Sequence, residues 1–304
     1  MEISDRVVGS IVGGAIGDAM GGPYEGQLGP VVMNLEAPWF LSDDTQLTLA
    51  TCEAIIETDC VSPEAIASRF LLWFREGRIT GIGASTFQAL SNLSAGIPWT
   101  LAGREGEMAA GNGAAMRAAP LAFLLDPYVL EQRTLIYDIS RITHRNREAY
   151  AGALALVVAI RAMISCAWSP GSSLPALVVP VLPDSALRER LSVIGEWKPT
   201  THPAEIANRF GCSGYVVESA PLAIFAAQRV ANLGLGAVLE SAIRCGGDTD
   251  TIASMTGQIA GAWLGFSGIP PELVGRLPKS PDVLSTARSF AARVAQGMCD
   301  ARGS

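Results

Sequence analysis

One helix-opening pattern, a capping side chain followed at once by proline, recurs along the chain and leaves little room for any architecture other than packed helices. Ser62-Pro63-Glu64 offers a hydroxyl cap, a proline at the first helical position and an early acid, and the same order returns at Asp126-Pro127, His202-Pro203-Ala204-Glu205 and Ser280-Pro281-Asp282. Each satisfies amides that the first helical turn leaves open, and proline's fixed φ suits that position. Between these starts, apolar residues recur at spacings of three and four, as in Leu47, Ala50, Ala54 and Ile55 or Phe70, Leu71 and Phe74, whereas strand-like alternation is scarce. The reading is an all-α fold. Gly13-Gly14-Ala15-Ile16-Gly17 and Gly257-Gln258-Ile259-Ala260-Gly261-Ala262 carry small residues at helical spacing, the composition needed where two helix backbones approach closely at the centre of a bundle. The clearest interruption, Trp168 to Pro183 with its four prolines, reads as a surface loop joining two helical halves. Pro180 divides Val178, Val179 and Val181, so no strand is expected there.

Composition limits the function classes. With 49% apolar residues in 304, the chain can bury a sizeable core, and a single domain spanning 1–304 is expected. Twenty-two Lys and Arg against 29 Asp and Glu leave a net charge of −7, which repels polyanions and argues against nucleic-acid binding through bulk charge. The longest apolar stretch, Ala149 to Ile160, is cut short by Arg161 before it would cross a bilayer, so no membrane partner is expected. The opening Met1-Glu2-Ile3-Ser4-Asp5-Arg6 lacks the features of an export signal. Cys52, Cys60, Cys166, Cys212, Cys245 and Cys299 form no CxxC pair and mostly sit among apolar residues, as buried thiols in a reducing compartment would, and the expected location is cytoplasmic. No heptads are evident, and the oligomeric state is not read.

The chemistry concentrates in two short acidic runs, Ser42-Asp43-Asp44-Thr45 and Gly246-Gly247-Asp248-Thr249-Asp250-Thr251. Each stacks two carboxylates with hydroxyls, a concentration of negative charge that a divalent cation would neutralise. With Ser42 as the cap, Asp43 and Asp44 fall in a first helical turn, pointing about 100° apart and able to serve neighbouring ions. The second run follows a glycine pair that ends one helix, and Ile252, Met255 and Ile259 continue an apolar face. Oxygen-only donors point to Mg²⁺ or Mn²⁺, and away from zinc. The alternative is that each run is only a helix cap with solvated acids.

Several motifs together resemble the ADP-ribosylglycohydrolases, with a likeness to the enzymes that reactivate dinitrogenase reductase: Gly13-Gly14-Ala15-Ile16-Gly17-Asp18-Ala19, Ser42-Asp43-Asp44-Thr45, Gly111-Asn112-Gly113-Ala114-Ala115-Met116-Arg117, Ile142-Thr143-His144, Gly214-Tyr215-Val216-Val217 and Gly247-Asp248-Thr249-Asp250-Thr251, spread in order over residues 9 to 266. The resemblance implies an all-α orthogonal fold and a centre of two Mg²⁺ or Mn²⁺ ions held by Ser42, Asp43, Asp44, Asp248, Asp250 and Thr251. The implied reaction is hydrolysis of the glycosidic bond at the ribose of an ADP-ribosylated substrate. Position 42 is commonly Thr in the family; Ser keeps the hydroxyl but loses the methyl that fixes its rotamer. The catalytic roles implied fall on Asp44, Asp248 and Glu25. Glu25 lies in Gly22-Pro23-Tyr24-Glu25-Gly26, where some members carry a mobile loop glutamate that acts on water; the alternative is an exposed loop acid. Ligand contacts are implied at Gly83 and Ser85, at Gly111, Asn112, Gly113 and Met116, and at His144.

For several of these residues a structural reading stands beside the functional one. His144 near a helix C-terminus would stabilise the dipole, and His202 reads as a cap only. Gly111-Asn112-Gly113 is either a turn or a place where amides approach a diphosphate, and Arg117 would reach a phosphate or pair with a structural acid. Two rival functions remain. Asp248-Thr249-Asp250 imitates the phosphatase nucleophile motif of haloacid dehalogenases, but a glycine pair precedes it and Ile252 stands in the fifth place, against that assignment. A non-catalytic ADP-ribose-binding or structural member of the family is the other. The leaving group is not readable, and the segment from Gln27 to Leu41 carries no code for it.

Overall fold

The computed structural model describes residues 1–34 and 36–297. Among them run sixteen α-helices. The first half holds α1 (Ile3–Gly21), α2 (Asp43–Thr58), α3 (Pro63–Arg75), α4 (Ala84–Ser94), α5 (Trp99–Ala102), α6 (Ala119–Ala122) and α7 (Leu130–Arg141). After these come α8 (Arg147–Ile164), α9 (Leu174–Val178), α10 (Ala186–Gly195), α11 (Pro203–Phe210) and α12 (Val216–Ala227). The last four are α13 (Val230–Ile243), α14 (Thr249–Leu264), α15 (Pro271–Arg276) and α16 (Ser280–Ala295). The only named strands among the described residues, β1 (Arg104–Glu105) and β2 (His144–Arg145), pair in parallel. The fold is all-α, as the helix signals require.

At the centre, α1 lies against α14 in the most extensive helix pairing among the described residues, and the glycine segments are the reason. A Cβ on Gly13 would stand 2.5 Å from the Gly257 carbonyl oxygen, and one on Gly9 2.5 Å from that of Gly261. Backbone touches backbone along this seam, which no larger residue permits. Around it, Ile11, Ile16, Leu47, Ala50, Ile55, Leu154, Ile252 and Ile259 belong to one core cluster, with α8 and α12 buried along most of their length. The stretch Ala149 to Ile160 lies within α8 and is core. No helix of the described residues is long and apolar enough to cross a membrane.

The helix starts resolve individually. Ser62 Oγ accepts from the Ala65 amide (3.2 Å), and His202 Nδ1 accepts from the Ala204 amide (3.2 Å), both as read. Asp126-Pro127 does not open a helix: Asp126 Oδ1 accepts from the Tyr128 amide (3.0 Å), an Asx turn that delays α7 to Leu130. Ser280 is the first residue of α16 and not its cap, because Lys279 takes the cap position in a left-handed conformation. The Trp168 to Pro183 segment is more than a surface loop. It folds α9 and a 3₁₀ turn (Val179–Val181), capped by Ser173, and it buries Trp168, Leu174 and Val178; prolines early in these short helices occupy positions whose amides have no intrahelical partner. The cysteines are divided: Cys52 and Cys245 are buried and Cys60 and Cys212 half-buried, but Cys166 is exposed, and Cys299 lies outside the described residues.

Candidate metal centre

The first acidic run is set where α1 meets the start of α2. Ser42 caps α2, its Oγ accepting from the Asp44 amide (3.3 Å) and donating to Asp18 Oδ1 (2.7 Å). Asp18, fully buried on α1, also accepts from the Ser42 amide (3.1 Å to Oδ2), the Thr45 amide (3.2 Å) and the Thr45 hydroxyl (2.5 Å). Two helices are thereby pinned through one carboxylate, which was quoted within the Gly13–Ala19 motif but given no role from sequence. The signal was available: an acid amid the glycines and apolar residues of a helix that the core encloses needs partners to stay there.

The second run is delivered by a tight turn. Gly246 and Gly247 adopt φ of 78° and 74°, and a Cβ on Gly247 would collide with the Cys212 backbone, its carbonyl carbon 2.8 Å away. This conformation and this closeness admit only glycine. The Asp248 amide then donates to the Cys212 carbonyl (2.9 Å), and Asn112 Nδ2 donates to Asp248 Oδ2 (2.7 Å) and to Ser219 Oγ (3.1 Å). Asp250 Oδ1 accepts from the Thr251 amide (2.8 Å), and the Thr251 hydroxyl donates to Asp44 Oδ2 (3.1 Å), joining the two runs across 207 positions of sequence.

Carboxylate oxygens converge in two groups that share one residue. Those of Asp18, Asp44 and Asp250 lie within 4.8 Å of one another, as do those of Glu25, Asp248 and Asp250. The electrostatic cost is plain. Burial, then repulsion from Asp250, Asp18, Asp43 and Asp248, lifts the Asp44 carboxyl well above its ordinary range. Burial and the neighbouring Asp18 and Asp248 push Asp43 up to about 8, and burial with Asp248 and Glu25 among its neighbours pushes Asp250 up to about 9. Asp18 rises only to about 6, because its four donors oppose the desolvation. Glu25 is also raised, by burial and by Asp248. Asp44 Oδ1 is buried without a hydrogen-bond partner. An orphaned carboxylate oxygen amid mutually repelling acids fits a hard divalent cation, whose charge offsets the repulsion and whose ligand sphere takes the free lone pair.

Above the carboxylates opens a cleft of about 270 Å³. Glu25, Asp43, Asp248, Asp250 and Thr251 line it, together with Gly83, Ser85, Gly111, Asn112, Gly113, Met116 and His144. Ser42 and Asp44 are buried and do not line it. Glu25 follows a 3₁₀ turn (Gly22–Tyr24) and is exposed. Arg104 and Met108 are lining residues that carried no sequence signal.

Three readings need correction. His144 is not a helix-end cation: it lies on β2, 3% exposed, and burial with the charges of Arg117 and Arg104 drives its pKa down to about 3. Thr143 Oγ1 accepts from Arg117 Nη2 (2.8 Å) and is paired with His144 Nδ1 (2.8 Å), and Nε2 is the ring atom nearest a Cβ built on Gly111 (3.2 Å). Arg117 does not line the cleft and forms no salt bridge among the described residues, although the Asp43 charge bears on it. It is 1% exposed, donates to the carbonyls of Gly113 and Ile139 (3.3 Å for the latter) and stacks on Phe70. Burial pulls its pKa down to about 9. Gly111-Asn112-Gly113 is no free amide cradle at its first step, since the Asn112 amide is taken by the Gly214 carbonyl (3.1 Å). Gly113 is required because a Cβ there would stand 2.7 Å from His144 Cε1.

The family model described as ADP-ribosylglycohydrolase matches residues 1–301. A protein of Archaeoglobus fulgidus is 33% identical over 83% of this chain and 85% of its own length. An ADP-ribosylarginine hydrolase of Pseudomonas putida is 28% identical over 96% of this chain and 79% of its own. A solved structure titled as an ADP-ribosylglycohydrolase-related protein complex covers 96% of this chain and 99% of its own, with a TM-score of 0.75 and 27% identity.

Proposed function

The chain belongs to the ADP-ribosylglycohydrolase family, and on that premise we propose that it is a metal-dependent hydrolase that cleaves the glycosidic bond at the ribose of ADP-ribosylated substrates. The observation that carries the reading is the pair of carboxylate groups sharing Asp250 at one cleft, with Asp44 Oδ1 of the first group buried and unpartnered. Asp43, Asp44, Asp248, Asp250 and Thr251, with Ser42, would hold two Mg²⁺ or Mn²⁺ ions. When bound, such ions supply Lewis acidity at the ribose end of the cleft.

The remaining steps belong to the chain's own groups. Asn112 holds Asp248 in orientation, and Asp18 holds Ser42 and Thr45, so the carboxylates meet the ligand in a fixed arrangement. His144, held uncharged by its burial, lines the cleft wall. Glu25, exposed beside Asp248, takes a proton from the attacking water as its oxygen bonds to the anomeric carbon and the bond to the leaving group breaks. Carboxylates around the sugar favour the oxocarbenium character of that transition state. We place the activity in one domain spanning 1–304 and in the cytoplasm, a reducing compartment that suits the free cysteines.

Release of ADP-ribose from a panel of substrates, linked through arginine, serine, a nucleobase and an acetylated ribose, tests the reading with Mg²⁺, with Mn²⁺ and with EDTA. Turnover of at least one substrate is expected with metal and none with EDTA, and Asp44→Asn or Asp248→Asn should abolish it while circular dichroism stays unchanged. ADP-ribose binding with no hydrolysis of any substrate would replace the enzyme with the non-catalytic alternative.

A further inference from the structure

The cleft is electrically lopsided. The charges that raise Asp43, Asp44 and Asp250 are those of neighbouring carboxylates, whereas those that lower His144 are the cations Arg117 and Arg104, of which Arg117 also faces Asp43. Arg117 is spent on carbonyls and Thr143. Arg104 is not. It is half-buried and lines the cleft, and among the described residues it has no carboxylate partner. The two-stranded pairing explains why. The register sets Arg104 opposite His144 and Glu105 opposite Arg145, and partners in a pair share a face while successive residues alternate. Arg145 therefore meets Glu105 on one face (3.4 Å), while Arg104 and His144 both reach the cleft on the other. The Arg104 amide donates to the Thr143 carbonyl (3.0 Å), fixing the strand against the residue that orients the His144 ring.

We infer that Arg104 is the anion-recognition residue of the cleft and takes the diphosphate of an ADP-ribosyl ligand whose ribose end lies at the carboxylates. The inference rests on the ADP-ribosyl reading above. A guanidinium presents a planar fork of donors that matches two phosphate oxygens at once. A cation kept free of acids in a chain of net charge −7, on the wall of a cleft rich in acids, answers to a ligand that brings its own negative charge. It also explains how a dianion enters a cleft that otherwise repels it.

Isothermal titration of the Mg²⁺-loaded protein with ADP-ribose tests this, in the wild type, Arg104→Gln and Arg104→Lys, at low and high salt. Arg104→Gln should bind roughly 10- to 100-fold more weakly, as expected on losing a charge-assisted hydrogen-bond pair, and its affinity should vary less with salt. Arg104→Lys should recover part of the loss, because it keeps the charge without the fork. Mn²⁺ affinity should be the same in all three, separating a lost ligand contact from a damaged fold. Equal ADP-ribose affinity and equal salt dependence in wild type and Arg104→Gln would overturn the role of Arg104 and leave the ADP-ribosyl reading standing. Failure of the wild type itself to bind ADP-ribose would overturn both.

Discussion

Replacing Gly21 by alanine should loosen the seam between α1 and α14 at the point where it carries a candidate ligand. Gly21 is the last residue of α1, at φ −79° and ψ −35°, a conformation open to any residue, so the substitution is a pure packing change. Its Cβ would meet the Thr249 carbonyl oxygen at 2.5 Å, Asp250 Cα at 2.7 Å and the Asp250 amide nitrogen at 2.8 Å. All three are backbone atoms that cannot rotate away, and reaching van der Waals separation requires the α14 start to retreat by about 0.5 Å or more. Such overpacking costs about 1–3 kcal/mol, offset by up to about 1 kcal/mol of helix propensity gained at a helix end. A net loss near 1–2 kcal/mol lowers the melting point by roughly 1.5–3 °C for a chain of this size. The same retreat carries Asp250 away from Asp18 and Asp44, and Mn²⁺ affinity should fall about tenfold, in line with disturbed support of metal ligands. Thermal unfolding by circular dichroism in EDTA and Mn²⁺ titration calorimetry read the two effects separately. Gly275→Ala is the control, since a Cβ there meets nothing within 4 Å, and it should melt with or above the wild type. A Gly21→Ala protein with wild-type melting point and wild-type Mn²⁺ affinity would refute the claim that backbone contact at the seam sets the width of the site.

Two further outcomes follow from the electrostatics and from the support of Asp248. Asp43 at about 8 and Asp250 at about 9 stand above the ordinary 3.8 of their unfolded forms, so the metal-free folded chain holds more protons than the unfolded one. The stability they contribute is fully present below the unfolded value and is lost as pH rises through about 9. Urea midpoints in EDTA should therefore fall between about pH 5 and pH 9, with a shallower fall in Asp43→Asn/Asp250→Asn and in Mn²⁺; equal slopes in wild type and double variant would contradict the assignment. Asn112→Ala removes the amide that orients Asp248 and should lower Mn²⁺ affinity about 10- to 100-fold with little change in helix content; unchanged affinity would show that Asp248 needs no such support.

Much of the site was legible because its parts obey local rules. A cap and its first-turn acids lie within four residues, so Ser42-Asp43-Asp44 announced a helix start with its charges at the favourable end of the dipole. The glycine pair before Asp248 announced a turn. Asp126-Pro127 misled because Asp-Pro makes an Asx turn as readily as a helix start, and only the packing of α7 chooses. Arg117 misled because a buried guanidinium can satisfy itself on backbone carbonyls, which leave no trace in composition.

Helix content, the places where backbones must touch, and the residue types of a hard-cation site follow from spacing and side-chain chemistry over a few residues, and the amino-acid sequence alone determined them. The meeting of Thr251 with Asp44, of Asn112 with Asp248 and of Arg104 with His144 was decided only by tertiary structure. Those pairs are separated by 40 to 207 positions, and which of many possible partners a side chain finds at such range depends on how whole helices pack, a property of the assembled core that no local window contains.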